Sequence, residues 1–219
     1  MGGTGMDRGI PAGKLTRTRI DEFILSVADA KPLPGGGSAA ALAGSLAAAL
    51  GEMMAGLTEG RREYLDQDSR VREIHARLTG ARQTLYSLVE EDSTAFQSLL
   101  DAFRLPRQTA EERAFRTEAV EKGKRNATET PLRAARAALD ALENLRILIG
   151  IGNPNARCDA AVGAQLAYAS LKGAYYNVRA NIRGLEDRSY AELCYTEISE
   201  LVRKARVILR QIDEIVTSS

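Results

Sequence analysis

The sequence predicts an all-α fold, a multihelical bundle around a buried Ala/Gly-rich central helix. Three observations predict it. Apolar residues recur at steps of three and four through most of the chain. No strand-length alternation of apolar and polar residues survives between those segments. The stretch PLPGGGSAAALAGSLAAALGEMMAGLT, Pro32 to Thr58, carries a single charge, Glu52, and a helix apolar all round is either buried or membrane-spanning.

The elements follow in order. Residues 1–15 are Gly-rich at the start, lack the apolar core of a signal peptide, and read as a flexible tail. Residues 16–219 read as one helical domain. A first helix covers Thr18–Ala28, with Ile20, Phe23, Ile24 and Val27 on one face. The central helix follows the turn Gly35-Gly36-Gly37-Ser38. Gly37, Ala41, Gly44, Ala48, Gly51 and Ala55 form a face of small residues that lets another helix approach closely, from this chain or a second copy. Leu42, Leu46, Leu50, Met53 and Leu57 form a bulky face. A bilayer span is the weaker reading, because the run is Ala/Gly-rich and Glu52 is costly in lipid.

A long helix is expected over Asp66–Phe103, ended by Leu105-Pro106. The next begins at Thr109, whose TAEE suits an N-cap with acidic first-turn residues. Pro131 either splits this run in two or kinks it. IGIGNPN, Ile149–Asn155, reads as a loop. Helices over Ala156–Arg183 and Ser189–Val216 complete the chain.

Composition narrows the function. Thirty basic and 29 acidic residues leave a net charge of +1, which gives no footprint for nucleic acid or an anionic membrane. The single histidine, His75, excludes multi-His zinc sites and disfavours a His-based triad, and it reads as surface. Cys158 and Cys194 match no metal or disulfide framework; they read as buried small residues in a reducing, cytoplasmic setting.

Candidate site residues come from breaks in pattern. Val71, Ile74, Leu78, Ala81, Leu85, Leu88, Ala95 and Leu99 form the core stripe of the long helix, and the position missing from it is Asp92. Glu90 and Glu91 lie off the stripe on a solvated face. A carboxylate inside the stripe is expensive unless paired, so Asp92 is either a structural ion pair or a proton-transfer group. The Gly35–Ser38 turn offers free N–H groups to a polar ligand, or is a tight turn only. It is no Walker motif, because no Gly-Lys-Ser/Thr follows. Arg61 and Arg62 either compensate a helix C-terminus or clamp a carboxylate. The helix after GNPN has a small, polar stripe: Asp159, Gly163, Leu166, Ser170, Gly173, Asn177 and Gly184, with Asn181 beside it. Asp159, in the first turn, is either dipole compensation or functional. Asp159 and Asn177 lie roughly 27 Å apart along one helix at ~1.5 Å per residue, so one copy of the chain cannot bring both to one reacting carbon.

Read together, PLPGGGSAAALAGSLAAALGEMMAGLT, GRREY, EDSTAF, LPRQTAEE, GNPNARCDAAVGA and LKGAYYNVRANIRGL resemble the formimidoyltetrahydrofolate cyclodeaminase and methenyltetrahydrofolate cyclohydrolase family, from Ile20 to the C-terminus. The resemblance implies an all-helical homodimer with a buried central helix and a site for a reduced folate. Gly35, Gly36, Gly37, Ser38, Asp92, Asp159 and Asn177 fall on the family's motif positions, as do Asn181, Arg61 and Arg62. Cys158 departs from it, standing where the family usually has serine.

Two chemistries are implied, neither needing a metal. A cyclodeaminase closes 5-formiminotetrahydrofolate to 5,10-methenyltetrahydrofolate and releases ammonia; a cyclohydrolase opens the methenyl form to 10-formyltetrahydrofolate. GRREY and GAYYNV look more like the first. Both chemistries need a carboxylate that moves a proton near the one-carbon bridge, and Asp92, the carboxylate inside the apolar stripe, is the expected group. Asp159, the second catalytic candidate, and Asn177 are expected to bind pterin edges or orient the bridge, one of them from across a dimer interface. Gly35–Ser38, Asn177, Asn181, Arg61 and Arg62 would bind substrate. No formiminotransferase segment is visible, so the substrate is expected from a separate protein. The alternative of another class is a non-catalytic helical dimer.

Overall fold

The structure is a computed structural model and describes residues 14–218. Six α-helices follow in order: α1 (Ile20–Ala28), α2 (Gly36–Gly56), α3 (Asp68–Arg104), α4 (Ala110–Ile151), α5 (Arg157–Asn181) and α6 (Arg188–Thr217). Helix α2 packs on α3, α4 and α5, and α6 closes the far side of α4 and α5. The flexible tail expected over residues 1–15 lies outside the described residues as far as residue 13. Leu15, at its end, is not free. It is buried in a 3-10 turn, and its N–H donates to Glu90 on α3.

The small face of α2 faces its own protomer. A Cβ at Gly44 would meet Ser170 Oγ at 2.6 Å, and one at Gly51 would meet Leu78 at 2.8 Å. Glycine at these positions sets how closely α3 and α5 approach α2. The contacts Gly163 to Ala47 and Gly173 to Ala40 run α5 antiparallel to α2. The bulky face of α2 is partly open within the protomer: Leu46 is 52% exposed and Met53 40%. Leu57 is exposed too. Helix α2 is long and apolar enough to cross a membrane, and half of its most apolar stretch is buried inside the protein. Its one charge, Glu52, pairs with Arg82 on α3 at 2.5 Å.

Two other expectations change. The apolar stripe of α1 is mostly uncovered: Ile20, Ile24 and Val27 are exposed, and Phe23 alone of the four packs on the core. Pro131 neither splits nor ends α4, which runs unbroken through it. Proline has no N–H for the carbonyl four residues back, that of Ala127. Asn181 Nδ2 from α5 supplies the missing donor at 2.6 Å. The N-cap predicted at Thr109 forms, as a capping box with Glu112.

The GNPN segment is shorter than expected, since α4 reaches Ile151. It staples the C-terminal end of α2. Asn153 N–H donates to Thr58 Oγ1, and Asn153 Nδ2 donates to the Leu57 carbonyl. Cys194 is buried as expected, but Cys158 is exposed, because the first turn of α5 presents it outward. His75 is half-exposed and paired with Glu59 at 2.5 Å.

Among the described residues two buried side-chain atoms lack a hydrogen-bond partner, Arg157 Nε and Ser170 Oγ. Ser170 is fully buried and its hydroxyl has no hydrogen-bond partner. Ser170→Ala removes that desolvation cost with little change in shape. It is expected to stabilise the fold by about 1 kcal/mol, or ~2–4 °C in Tm, with unchanged helicity. A lower Tm on thermal melting would show that the hydroxyl finds a partner.

Candidate functional site

The N-terminal end of α2 is where the pattern breaks meet. Its N-cap, Gly35, has no side chain with which to cap the helix. Asp92, arriving from α3, lies against the exposed turn instead. A Cβ at position 37 would overlap its carboxylate, so glycine there is required by close approach. The carboxylate accepts hydrogen bonds from the backbone N–H and the hydroxyl of Ser38. The Gly36 and Gly37 N–H groups precede the first helical hydrogen bond, from Ala39 N–H to the Gly35 carbonyl.

Ser38 does not reach ligand space, contrary to expectation. It is fully buried, with its oxygen 2.8 Å from the Val89 carbonyl, 3.1 Å from Asp92 Oδ2 and 3.0 Å from Ser93 Oγ. A hydroxyl has one hydrogen to donate. With Asp92 ionised, Ser38 donates to it. With Asp92 protonated, the carboxyl donates to Ser38, which donates onward to Val89. Both protonation states are therefore accommodated without moving the backbone. Burial pushes the Asp92 carboxyl above the ordinary carboxylate range, and the two hydrogen bonds from Ser38 oppose this only in part.

A cavity of about 190 Å³ opens at this point, lined by Pro32, Leu33, the glycine turn, Asp92, Phe96, Ala127, Asn177 and Asn181. Two helical pairs spaced by four residues face it: Asp92 and Phe96 from α3, Asn177 and Asn181 from α5. Each asparagine spends one of its two amide hydrogens on the fold. Asn177 Nδ2 donates to the Gly173 carbonyl, and Asn181 Nδ2 to Ala127. Each keeps an amide oxygen as an acceptor. The wall also includes Pro32, Leu33, Phe96 and Ala127, none of which the sequence marked as functional. Only Phe96 had a legible signal, its place one turn after Asp92.

Asp159, Arg61 and Arg62 are elsewhere. All three are exposed. Arg61 and Arg62 follow the C-terminal end of α2, and Asp159 is in the first turn of α5, which runs antiparallel. One protomer does not bring them to Asp92. Among the described residues no group of three His, Cys, Asp or Glu side chains is placed to hold a metal ion.

Comparison with known proteins adds three findings. Residues 19–200 match the family described as formiminotransferase-cyclodeaminase. The chain is 34% identical over 199 residues to a methenyltetrahydrofolate cyclohydrolase of Methylorubrum extorquens, covering 91% of this chain and 96% of that protein. It is 36% identical over 185 residues to the formimidoyltransferase-cyclodeaminase of Gallus gallus, covering 84% of this chain but 34% of that protein. The chain thus spans about a third of the length of such two-activity relatives. The crystal structure of a formiminotetrahydrofolate cyclodeaminase from Thermotoga maritima superposes with a TM-score of 0.84. It covers 94% of this chain and 98% of that one at 24% identity, which shows a shared fold.

Proposed function

The chain belongs to the formiminotransferase-cyclodeaminase family, and from that premise we propose that it is a folate one-carbon enzyme whose proton-transfer group is Asp92. The observation that carries the reading is a half-buried carboxyl of raised pKa in a cavity beside free helix N–H groups. A general acid works best when its pKa is drawn toward the operating pH.

As a cyclodeaminase, the enzyme converts 5-formiminotetrahydrofolate to 5,10-methenyltetrahydrofolate. N10 attacks the carbon of the protonated formimino group, the carbon–nitrogen bond to the resulting amino group breaks, and the proton lost from N10 ends on that nitrogen, which departs as ammonia and leaves the methenyl cation. Asp92 carries that proton, and its hydrogen-bonded Ser38 keeps it poised in either state. As a cyclohydrolase, the enzyme adds water to the methenyl carbon. The bond to N5 breaks, N5 takes a proton, and one proton leaves with the formation of 10-formyltetrahydrofolate. This second reading is favoured by the cyclohydrolase relative matched over nearly its whole length. In both, the amide oxygens of Asn177 and Asn181 accept from the donor edge of the pterin, and the N–H groups of Gly36 and Gly37 meet polar atoms of the substrate.

The functional unit we propose is a homodimer across the open face of α2. Whole-ligand pockets usually measure roughly 300–1,000 Å³, so a cavity of about 190 Å³ holds only the head of a folate. The exposed stripe Leu46, Met53 and Leu57 lies on the same helix as the cavity mouth. A two-fold axis across the middle of α2 makes a self-complementary interface with the two copies antiparallel. Helix α2 is about 30 Å long at ~1.5 Å per residue, and that arrangement sets one copy's C-terminal end beside the other's Asp92. Asp159, Arg61 and Arg62 of the partner then complete the site, with the arginines toward the glutamate tail.

The test is a paired absorbance assay of the methenyl chromophore. Its appearance from 5-formiminotetrahydrofolate above the uncatalysed rate means cyclodeaminase. Accelerated loss from 5,10-methenyltetrahydrofolate alone means cyclohydrolase. The absence of both changes refutes the enzyme reading and leaves a non-catalytic helical dimer.

A further inference from the structure

We propose that Phe96 is the stacking platform for the pterin head of the substrate. The inference rests on the folate reading above and adds a residue that supplies binding rather than proton transfer.

Phe96 follows Asp92 by one helical turn, so the two side chains leave the same face of α3. Both line the cavity. The Phe96 side chain is half-buried, yet it belongs to neither of the protein's two apolar clusters. Among the described residues the one ring–ring contact is Tyr175 with Tyr176, and the cations over rings all address tyrosines. A ring that is partly removed from water, packs into no core and has no aromatic partner leaves a face for a flat ligand.

The rest of the wall suits such a ligand. Asp92, Asn177, Asn181 and the glycine turn offer polar groups, while Pro32, Leu33 and Ala127 offer apolar surface. A reduced pterin has that division, with hydrogen-bonding edges and a broad face. Aromatic rings pack offset or edge-on in preference to an eclipsed sandwich.

The experiment compares wild type with Phe96→Leu, Phe96→Ala and Phe96→Tyr. The probes are tetrahydrofolate and p-aminobenzoylglutamate, the latter lacking the pterin head. Calorimetric affinities are read beside kcat and KM. Phe96→Leu and Phe96→Ala should bind tetrahydrofolate roughly five- to tenfold more weakly and raise KM by the same factor, with kcat little moved. Phe96→Tyr should stay within about twofold of wild type, because its ring face is kept. Binding of p-aminobenzoylglutamate should not change. Because the ring packs in no core, the unliganded Phe96→Leu protein should melt with wild type. Unchanged tetrahydrofolate affinity in Phe96→Leu overturns the inference, and so does an equal loss for p-aminobenzoylglutamate. Wild type that binds no tetrahydrofolate overturns the folate reading itself.

Discussion

Asp92→Asn is expected to lower kcat about 10²- to 10⁴-fold, the usual range for a lost general acid or base. The fold should survive, because an asparagine oxygen still accepts from the Ser38 N–H and the residue keeps its volume. Stability should change in the opposite direction from activity. Burial raises the Asp92 pKa in the folded protein above its model value of 3.8. A raised carboxyl is favoured in its protonated form by folding. Its stabilising contribution is complete below about pH 3.8 and is lost as pH rises through the folded value. At neutral pH the ionised side chain therefore costs stability, and the asparagine variant should melt at the same temperature or higher. The wild-type pH–rate profile should carry a limb above the ordinary carboxylate range that is missing from the variant. Near-normal turnover in Asp92→Asn would remove this residue from the mechanism.

The second large effect concerns the open face of α2. Leu46→Glu places a charge on the exposed stripe at the midpoint of α2. Leu46 is 52% exposed within the protomer, so the substitution should leave the helical bundle folded. It should convert a dimer into a monomer in sedimentation, because an isologous contact meets the same charge twice. Turnover should fall with dimer content and recover partly at high protein concentration. A wild-type protein that sediments as a fully active monomer would overturn the dimer. It would also leave Asp159, Arg61 and Arg62 without a route to Asp92.

These two residues show how much was legible in the sequence. The period of the long helix exposed Asp92, since a carboxylate inside a three-and-four stripe stands out without any coordinates. The same reading missed the role of Ser38, which was taken for a ligand contact and is instead the buried partner of Asp92. It leaves open what covers the bulky face of α2, because an apolar helix looks the same from sequence whether its second face meets its own chain or another. Asn181 stands out in the sequence as a polar residue beside a small stripe. Its donor, however, satisfies the carbonyl that Pro131 leaves free 54 residues away.

The sequence by itself determined the helices, the cap at Thr109, the small face of α2 and the carboxylate out of place. These are set by local geometry: the helical period, the missing Cβ of glycine and the missing N–H of proline act within a few residues. Only the tertiary structure decided which of these features share a cavity. It set Asp92 against the N-terminus of α2, brought Asn177 and Asn181 across from α5, and added Phe96 to the wall. It also kept Asp159 and the two arginines at the far end. The reason is that a site depends on which helix faces meet, and helix pairing between residues more than 50 positions apart leaves no periodic trace along the chain.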